Sequence, residues 1–408
     1  MTEAKVFEGI KVVDFSWVVA GPLAVKYLAD YGATVVKIES MEHPDVLRLS
    51  APYKDNKPGV NRSGYFAYYE HNKLSLSLNL NHPSAKEVVL RLVSWGDIVV
   101  ENFAPGAMEK WGLDYGELKK VKPEIIMLSI SNQGQTGPWS RVPSYGTLLT
   151  AMAGFSDIIG WPDHDPLMLN LAWPDFIAAP AAFTALIAAL EYRQNTGKGQ
   201  HLDLSQLEIS LLFQSPLVLD YVVNGRENKR NGNSSPFAAP HGVFKCRGED
   251  KWCAIAVFTD EEWNALCRAM GNLPWTKEVR FSTLLLRKRN EEELNHLVET
   301  WTINFNPEEL VSQLQTSGVS AGVVKSAADL YDDPQIRNRN ALWSMMHEEI
   351  GQCTCLGQPS ILSRTSAELQ RSAPLLGQDT LYVCQELLGI SEEEFDQMVI
   401  NGVFGEGY

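Results

Sequence analysis

Asp175 is the carboxylate around which chemistry can be organised in this chain. It follows Trp173-Pro174 and precedes residues 176–190, which carry no charged side chain. Such a stretch reads as a fully buried helix. Pro174 disfavours helix at Trp173, and Asp175 suits the helix N-cap. Arg193 and Gly197-Lys198-Gly199 supply a cation in the last turn and glycines beyond it, as a helix stop does. A carboxylate placed there is either a cap or a reactive group. To react as a nucleophile it needs an electrophile held close and bulk water kept away. The free N–H groups of the helix start would then stabilise charge on the attacked carbonyl.

Other residue types offer less. The six cysteines, at 246, 253, 267, 353, 355 and 384, form no CxxC pair and have no histidine-rich spacing. They read as structural thiols of a reducing compartment, and no metal site is expected. Cys353 and Cys355 suit one face of a strand. Glu39 ends a β-rich run where a ribose-binding acid would stand, but no GxGxxG precedes it, which argues against a dinucleotide. The net charge of −15 argues against nucleic acid and acidic membrane surfaces as partners. An anionic ligand would have to be held by local cations and backbone N–H groups. Hydrophobic residues at 45% and charged residues at 21% are ordinary for a globular protein. The apolar run 177–190 falls short of the ~18 residues of a membrane span. Residues 1–9 hold no signal-peptide core, so a cytoplasmic location is expected.

The elements that must position Asp175 follow from periodicity. At 408 residues the chain is too long for one compact core, so two domains are expected. Residues 10–15 and 33–39 read as strands around a helix at 23–31, a βαβ unit with parallel strands. Further strands are predicted at 74–80, 97–101 and 125–130. Helices fall at 84–95, 107–111 and 115–121. This alternation gives a doubly wound α/β domain. The Gly/Pro-rich stretch 133–165 follows a strand's carboxyl end, where ligands of open parallel sheets sit. A strand is predicted at 201–204, one long helix at 206–222 and a polar loop at 224–240. Two strands (243–246, 252–257), helices at 260–270 and 289–305, and a helix-to-strand close at 307–324 make a second unit. Residues 340–363 read as a β-meander and 380–388 as a last helix. The expected division is a large α/β domain at 1–200, a helical linker at 201–224, a small α+β domain at 225–325, and a return linker with the rest of the large domain at 326–408.

Three turns sit at strand ends: Ala20-Gly21-Pro22, Asn102-Phe103-Ala104-Pro105-Gly106, and residues 131–139. Each alone is ordinary turn chemistry. In order, with Leu28-Ala29-Asp30-Tyr31-Gly32-Ala33, Val36-Lys37-Ile38-Glu39, Asn72-Lys73, Gly137-Pro138, residues 190–200 and Ala373-Pro374-Leu375-Leu376-Gly377-Gln378, the chain resembles the family III CoA-transferases over nearly its whole length. These include formyl-CoA transferase, the carnitine CoA-transferases and the succinyl-CoA:benzylsuccinate CoA-transferases. The resemblance implies a Rossmann-like large domain, a smaller α+β domain and an interlocked dimer. It implies coenzyme A as an acyl-CoA co-substrate, a carboxylic acid acceptor and no metal. Asp175 would attack the thioester to give a mixed anhydride. CoA thiolate would then form an enzyme thioester, and the acceptor acid would finally take the CoA. Exchange between thioesters is near thermoneutral and requires no ATP. The CoA contacts implied are Val19, Ala20, Ser40, Leu78, Asn81, Asn102, Phe103, Ala104, Lys110, Val142 and Tyr145. Lys110 stands where a phosphate contact is expected, and Ser40 where some members have arginine. Lys37 and Lys73 are alternative phosphate cations or ordinary surface charges. Tyr145 is either a ring beside the CoA arm or a core residue.

Two departures refine this expectation. Formyl-CoA transferase-like members carry a glycine run in the small-domain loop that covers the intermediate. Here the loop reads Ser235-Pro236-Phe237-Ala238-Ala239-Pro240, and Phe237, Ala238 and Ala239 would suit a hydrophobic acid. Trp161, Trp173 and Phe176 point the same way. The α-methylacyl-CoA racemases resemble the chain too, but use a His-Asp pair where this sequence has Ser144-Tyr145-Gly146. Racemisation needs a base and an acid on opposite faces, and the histidine is missing. The expected activity is CoA transfer from an acyl-CoA, with succinyl-CoA as donor, to an aryl- or alkyl-substituted succinate. The nearest resemblance is to the benzylsuccinate transferase of anaerobic toluene degradation. The partner chain would be an identical copy or a similar subunit.

Overall fold

The computed structural model describes residues 5–405. The amino-terminal reading at residues 1–4 lies outside them. Two compact units divide the chain. The first comprises Met1–Ser156, Met168–Asn228 and Arg337–Tyr408; the second comprises Asp157–Leu167 and Lys229–Ile336.

A six-stranded parallel sheet in the order β3-β2-β1-β4-β5-β6 forms the first unit. Its strands are β1 (Lys11–Asp14), β2 (Thr34–Glu39), β3 (Leu74–Ser77), β4 (Ile98–Glu101), β5 (Ile126–Ser131) and β6 (His201–Ser205). Val13 pairs with Val36 on one side and Val99 on the other. The order reverses between β1 and β4, so the switch point lies at the carboxyl ends of those two strands. Alternate strand residues face opposite layers, as the period of two requires. Val12, Ile98, Val100 and Ile126 pack with the helices Ala20–Asp30 and Trp173–Thr196. Val13, Val36, Val99 and Met127 pack with the helix Ala85–Trp95 and the carboxyl-terminal Val383, Phe395 and Phe404. The long, β-branched runs are buried on both faces, the usual state of a parallel sheet.

Several expectations change. The Trp173–Thr196 helix is not buried all round. Ala178, Ala179, Ala182, Leu186 and Ala189 enter the core, whereas Thr184, Ile187 and Ala188 are exposed in this chain. Its 24 residues make it long and apolar enough to cross a membrane by those measures alone, which corrects the reading of 177–190 as too short. Its buried alanine stripe packs beside the Ala20–Asp30 helix, as in a core helix. The span 201–224 opens with β6, which pairs with β5. The helix expected at 206–222 is two, Gln206–Phe213 and Ser215–Asn224, separated at Gln214 ahead of Pro216. The meander is a hairpin of β10 (Leu342–His347) and β11 (Gly351–Leu356). A further helix, Glu392–Ile400, follows the expected last one.

The second unit holds an antiparallel sheet of β7 (His241–Lys245), β8 (Trp252–Ala256) and β9 (Ser320–Val323). The helices Asp260–Ala269, Glu291–Thr302 and Pro307–Thr316 share its core with Phe244, Ile255, Leu266, Leu294 and Leu310. All six cysteines are free thiols.

Candidate active site

At the switch point the chain leaves β1 through a strained turn. Val18 is β-branched and has φ 68°, a left-handed conformation costly for such a residue. One carboxylate and an amide hold it. The Val18 N–H donates to Asp45 at 3.1 and 3.3 Å. The Trp17 N–H donates to Asn102 Oδ1 at 2.8 Å, and Asn102 Nδ2 donates back to the Trp17 carbonyl at 2.7 Å. Glu101, at the end of β4, accepts from the Phe103 N–H at 2.8 Å. Trp17, Phe103 and Trp111 then stack edge to face in a row, with centroids 5.3 and 5.4 Å apart.

Beside this row opens a cavity of about 830 Å³. Asn102, Phe103, Ala104, Lys110, Val142 and Tyr145, all expected CoA contacts, line it together. Tyr145 is 70% exposed, so its ring is not core. Asn81 lines a separate recess that shares Lys110. Val19, Ala20 and Leu78 are buried in apolar clusters. Ser40 is buried too, and its hydroxyl accepts from the His43 N–H at 3.2 Å. None of these four lines the cavity.

The cations sort differently from expectation. Lys37 and Lys73 are neither surface charges nor phosphate ligands. Both are fully buried in an ion-pair network: Lys37 meets Asp45 at 2.8 Å and Glu70 at 3.1 Å, and Lys73 meets Glu70 at 2.7 Å and Asp14 at 3.1 Å. Glu39 is not a ribose acid, because both its oxygens face Arg48, at 2.6 Å in the closest pair. Arg141 does line the cavity. It went unnoticed in the sequence, although it is the sole Lys or Arg in the stretch 133–165 that follows β5.

Asp175 sits in the first turn of the Trp173–Thr196 helix, with Ala172 at the N-cap position and Pro174 beside it. It does not cap the helix. Proline fits a first turn, where its missing N–H would be unpaired anyway, so the helix begins before the aspartate. The carboxylate is held from two sides. Oδ1 accepts from Gln206 Nε2 at 2.5 Å. Oδ2 lies against Gly146, where a Cβ would stand only 2.4 Å away. Gly146 follows Tyr145, which lines the cavity, whereas Gly146 and Asp175 themselves do not line it. Burial pushes the Asp175 carboxyl above its ordinary range, with the Gln206 amide pulling partly the other way. Burial first, and then the Asp175 charge, push the Tyr65 phenol up. Gln206 and Tyr65 were missed because they lie far from Asp175 in the chain and carry no charge. Phe176 is half-buried against Tyr69, centroids 6.4 Å apart, and Trp173 is 41% exposed.

The loop 235–240 and Trp161 belong to the second unit. Phe237 is 73% exposed, whereas Ala238 and Ala239 are fully buried there. Among the described residues no group of three or more His, Cys, Asp or Glu is placed to hold a metal ion.

Residues 7–380 match the model of CoA-transferase family III. The chain belongs to that family. It is 30% identical over 387 residues to the succinyl-CoA–D-citramalate CoA-transferase of Chloroflexus aurantiacus, spanning 95% of each chain. It is 31% identical over 381 residues to the succinate–glutarate CoA-transferase of Agrobacterium fabrum, spanning 93% of this chain and 95% of that one. Among solved structures, a CAIB/BAIF family protein from Brucella suis superposes with a TM-score of 0.86 at 30% identity, covering 94% of this chain and 100% of the other. The protein is therefore an enzyme of the CoA-transferase class, built on the mixed α/β fold of that family.

Proposed function

We propose that this family III enzyme moves CoA from succinyl-CoA to a second dicarboxylic acid, with Asp175 as the nucleophile. The observation that carries the reading is the seat of the Asp175 carboxylate. It is partly buried, bonded at one oxygen and pressed against Gly146, the residue after Tyr145, which lines the cavity with Asn102, Lys110 and Arg141. A carboxylate so placed meets a thioester at short range and away from bulk water. Its oxygen attacks the acyl carbon, and the C–S bond breaks to give a mixed anhydride and CoA thiolate. The thiolate then attacks Asp175 Cγ, releasing the donor acid and leaving an aspartyl-CoA thioester. The acceptor carboxylate then attacks Asp175 Cγ and expels CoA thiolate, giving a second mixed anhydride, and the thiolate finally attacks the acceptor's acyl carbon and releases the Asp175 carboxylate. The CoA contacts in this reading are Asn102, Phe103, Ala104, Lys110, Val142 and Tyr145, with Arg141 added. Val19, Ala20 and Leu78 would contribute through their backbone.

Relatives named for D-citramalate and glutarate support a dicarboxylate acceptor. The partly exposed Trp173 ring supports an apolar substituent on it, benzylsuccinate being the aryl example. A second chain belongs to the reading as well, whether identical or similar. Relatives include paired alpha and beta subunits of a succinyl-CoA–L-malate CoA-transferase. The helices Gln206–Phe213 and Ser215–Asn224 expose Leu212, Phe213, Leu219, Tyr221 and Val222, which supports a covered surface there. A cytoplasmic setting suits the free thiols.

The test is a panel of acceptor acids incubated with succinyl-CoA and read by mass spectrometry of the CoA esters formed. Glutarate, citramalate, malate, benzylsuccinate and monocarboxylic controls make up the panel. Transfer to dicarboxylates supports the reading. Transfer to monocarboxylates alone would overturn it.

A further inference from the structure

Gln206 has no part in the steps above, yet it is the partner of the candidate nucleophile. It stands at the carboxyl end of β6, immediately after Ser205, which pairs with Ser131 of β5. Ser205 caps the following helix by accepting from the Glu208 N–H at 3.3 Å. The Leu207 N–H donates to the Asn132 carbonyl at 2.9 Å. The Gln206 carbonyl accepts from Ser210 Oγ at 2.8 Å. The backbone on both sides of Gln206 is thus tied to the carboxyl end of β5, where Ser131 and Asn132 line the cavity. The side chain is 3% exposed and spends an amide N–H on Asp175 Oδ1. Burying a primary amide is costly unless it is bonded, and here its donor is aimed at a carboxylate.

We propose that Gln206 is a catalytic residue, the donor that stabilises negative charge on Asp175 Oδ1 whenever Asp175 Cγ is attacked. The inference rests on Asp175 being the nucleophile. With Oδ1 engaged by the amide, Oδ2 is the oxygen left to attack the thioester. In the mixed anhydride the bridging atom is then Oδ2, and Oδ1 is the carbonyl oxygen. When CoA thiolate adds to Cγ, the C=O electron pair moves onto Oδ1, where the Gln206 N–H already points. The intermediate collapses by breaking Cγ–Oδ2, the donor acid leaves with that oxygen, and the thioester carbonyl is again Oδ1. Attack by the acceptor carboxylate repeats the event, with thiolate as the leaving group. No proton or electron is gained or lost. Two of the four attacks place charge on Oδ1, and both use the same donor. In the free enzyme the same bond favours the carboxylate over the acid, opposing the upward pull of burial.

The experiment uses the wild-type enzyme and three variants. Gln206→Met keeps the bulk and removes the donor. The expected result is a fall in kcat of about 100-fold, the usual cost of one oxyanion donor, with KM for succinyl-CoA within about 2-fold because that donor serves the transition state more than binding. In single turnovers without acceptor, borohydride-trapped thioester at Asp175 should form slowly, whereas release of CoA thiol should be slowed less. The acid limb of kcat/KM should move to higher pH, since the bond that lowers the Asp175 pKa is gone. Gln206→Glu covers the case in which the methionine variant does not fold. Its ionised carboxylate cannot donate, and its protonated form can, so its activity should recover as pH falls relative to wild type. A folded Gln206→Met enzyme with unchanged kcat, or with raised KM and an unchanged rate of thioester formation, would overturn the proposal. So would a Gln206→Glu enzyme with the wild-type pH profile. Asp175→Ala separates the two readings. If that variant keeps its activity, the nucleophile assignment falls; if it is inactive while Gln206→Met is fully active, only the role of Gln206 falls.

Discussion

Gly146 and Asp175 are in contact through the absence of a side chain. A Cβ on Gly146 would stand 2.4 Å from Asp175 Oδ2, 3.0 Å from its Cγ and 2.4 Å from the Cβ of Ala172. The glycine is thus required by the seat of the carboxylate and by the residue ahead of the helix. Neither partner can withdraw cheaply, because Asp175 is tied to Gln206 and Ala172 leads into the helix.

Gly146→Ala should therefore displace the carboxylate. Overpacking of this kind costs about 1–3 kcal/mol of stability. Misplacing a nucleophile by about 1 Å costs about 100-fold in rate. Urea unfolding and steady-state kinetics on the same preparation check both. A folded Gly146→Ala enzyme with wild-type kcat would show that Asp175 does not act from this position.

Lys110 and Arg141 are the cavity's cations, so they should carry binding and not chemistry. Lys110→Ala and Arg141→Ala should each raise KM for succinyl-CoA about 10-fold, the worth of roughly 1.4 kcal/mol, and leave kcat nearly unchanged. The effect should shrink in high salt, which screens exposed charges. A fall in kcat at constant KM would contradict the assignment.

Lys37 should behave in the opposite way. Lys37→Met leaves Asp45 and Glu70 buried without their shared cation. Removing one partner of a buried pair costs about 3–5 kcal/mol. The strained Val18 turn depends on Asp45 and should loosen as well. Denaturant midpoints check this. A stable Lys37→Met enzyme with weakened CoA binding would instead make Lys37 a ligand.

Glu101 gives a pH signature. Its carboxyl is buried and pushed up to about 7; the Ser129 hydroxyl and the Phe103 N–H pull it down, and Asp203 pushes it up. His201 bonds the same Ser129 at 2.9 Å. The folded state thus holds the Glu101 proton more tightly than the unfolded chain does. The stability it contributes is present below the ordinary value of 4.5 and is lost as pH rises to about 7. Over that window the loss is about 3 kcal/mol. Glu101→Gln keeps an acceptor and cannot ionise, so the difference between its stability curve and that of wild type should show this slope. Parallel curves would remove the buried-acid assignment.

The alternation of strand and helix was legible because β1, β2, β4 and β5 are β-branched runs separated by amphipathic helices and glycine turns. The cluster Asn102, Phe103, Ala104 was legible for the same reason: a strand's carboxyl end followed by a Pro-Gly turn. What stayed hidden depends on contacts between distant residues. Lys37 and Lys73 look like surface charges until β1, β2 and the segment before β3 bring Asp14, Asp45 and Glu70 around them. Pro174 looked like a helix boundary because the rule for residues before proline ignores how well proline fits a first turn. Gln206 carries no charge and touches Asp175 only because β6 returns to the sheet after the long helix. An exposed stripe on the Trp173–Thr196 helix is equally invisible in a run of alanines, where every face reads as buried.

The most direct measurement is covalent. The enzyme is incubated with succinyl-CoA without acceptor, treated with borohydride or hydroxylamine, digested, and its peptides weighed. The peptide carrying Asp175 should appear as the reduced alcohol or the hydroxamate, and the Asp175→Ala enzyme should show no modified peptide and no transfer. Modification at another residue, or full transferase activity in Asp175→Ala, would contradict covalent catalysis by Asp175.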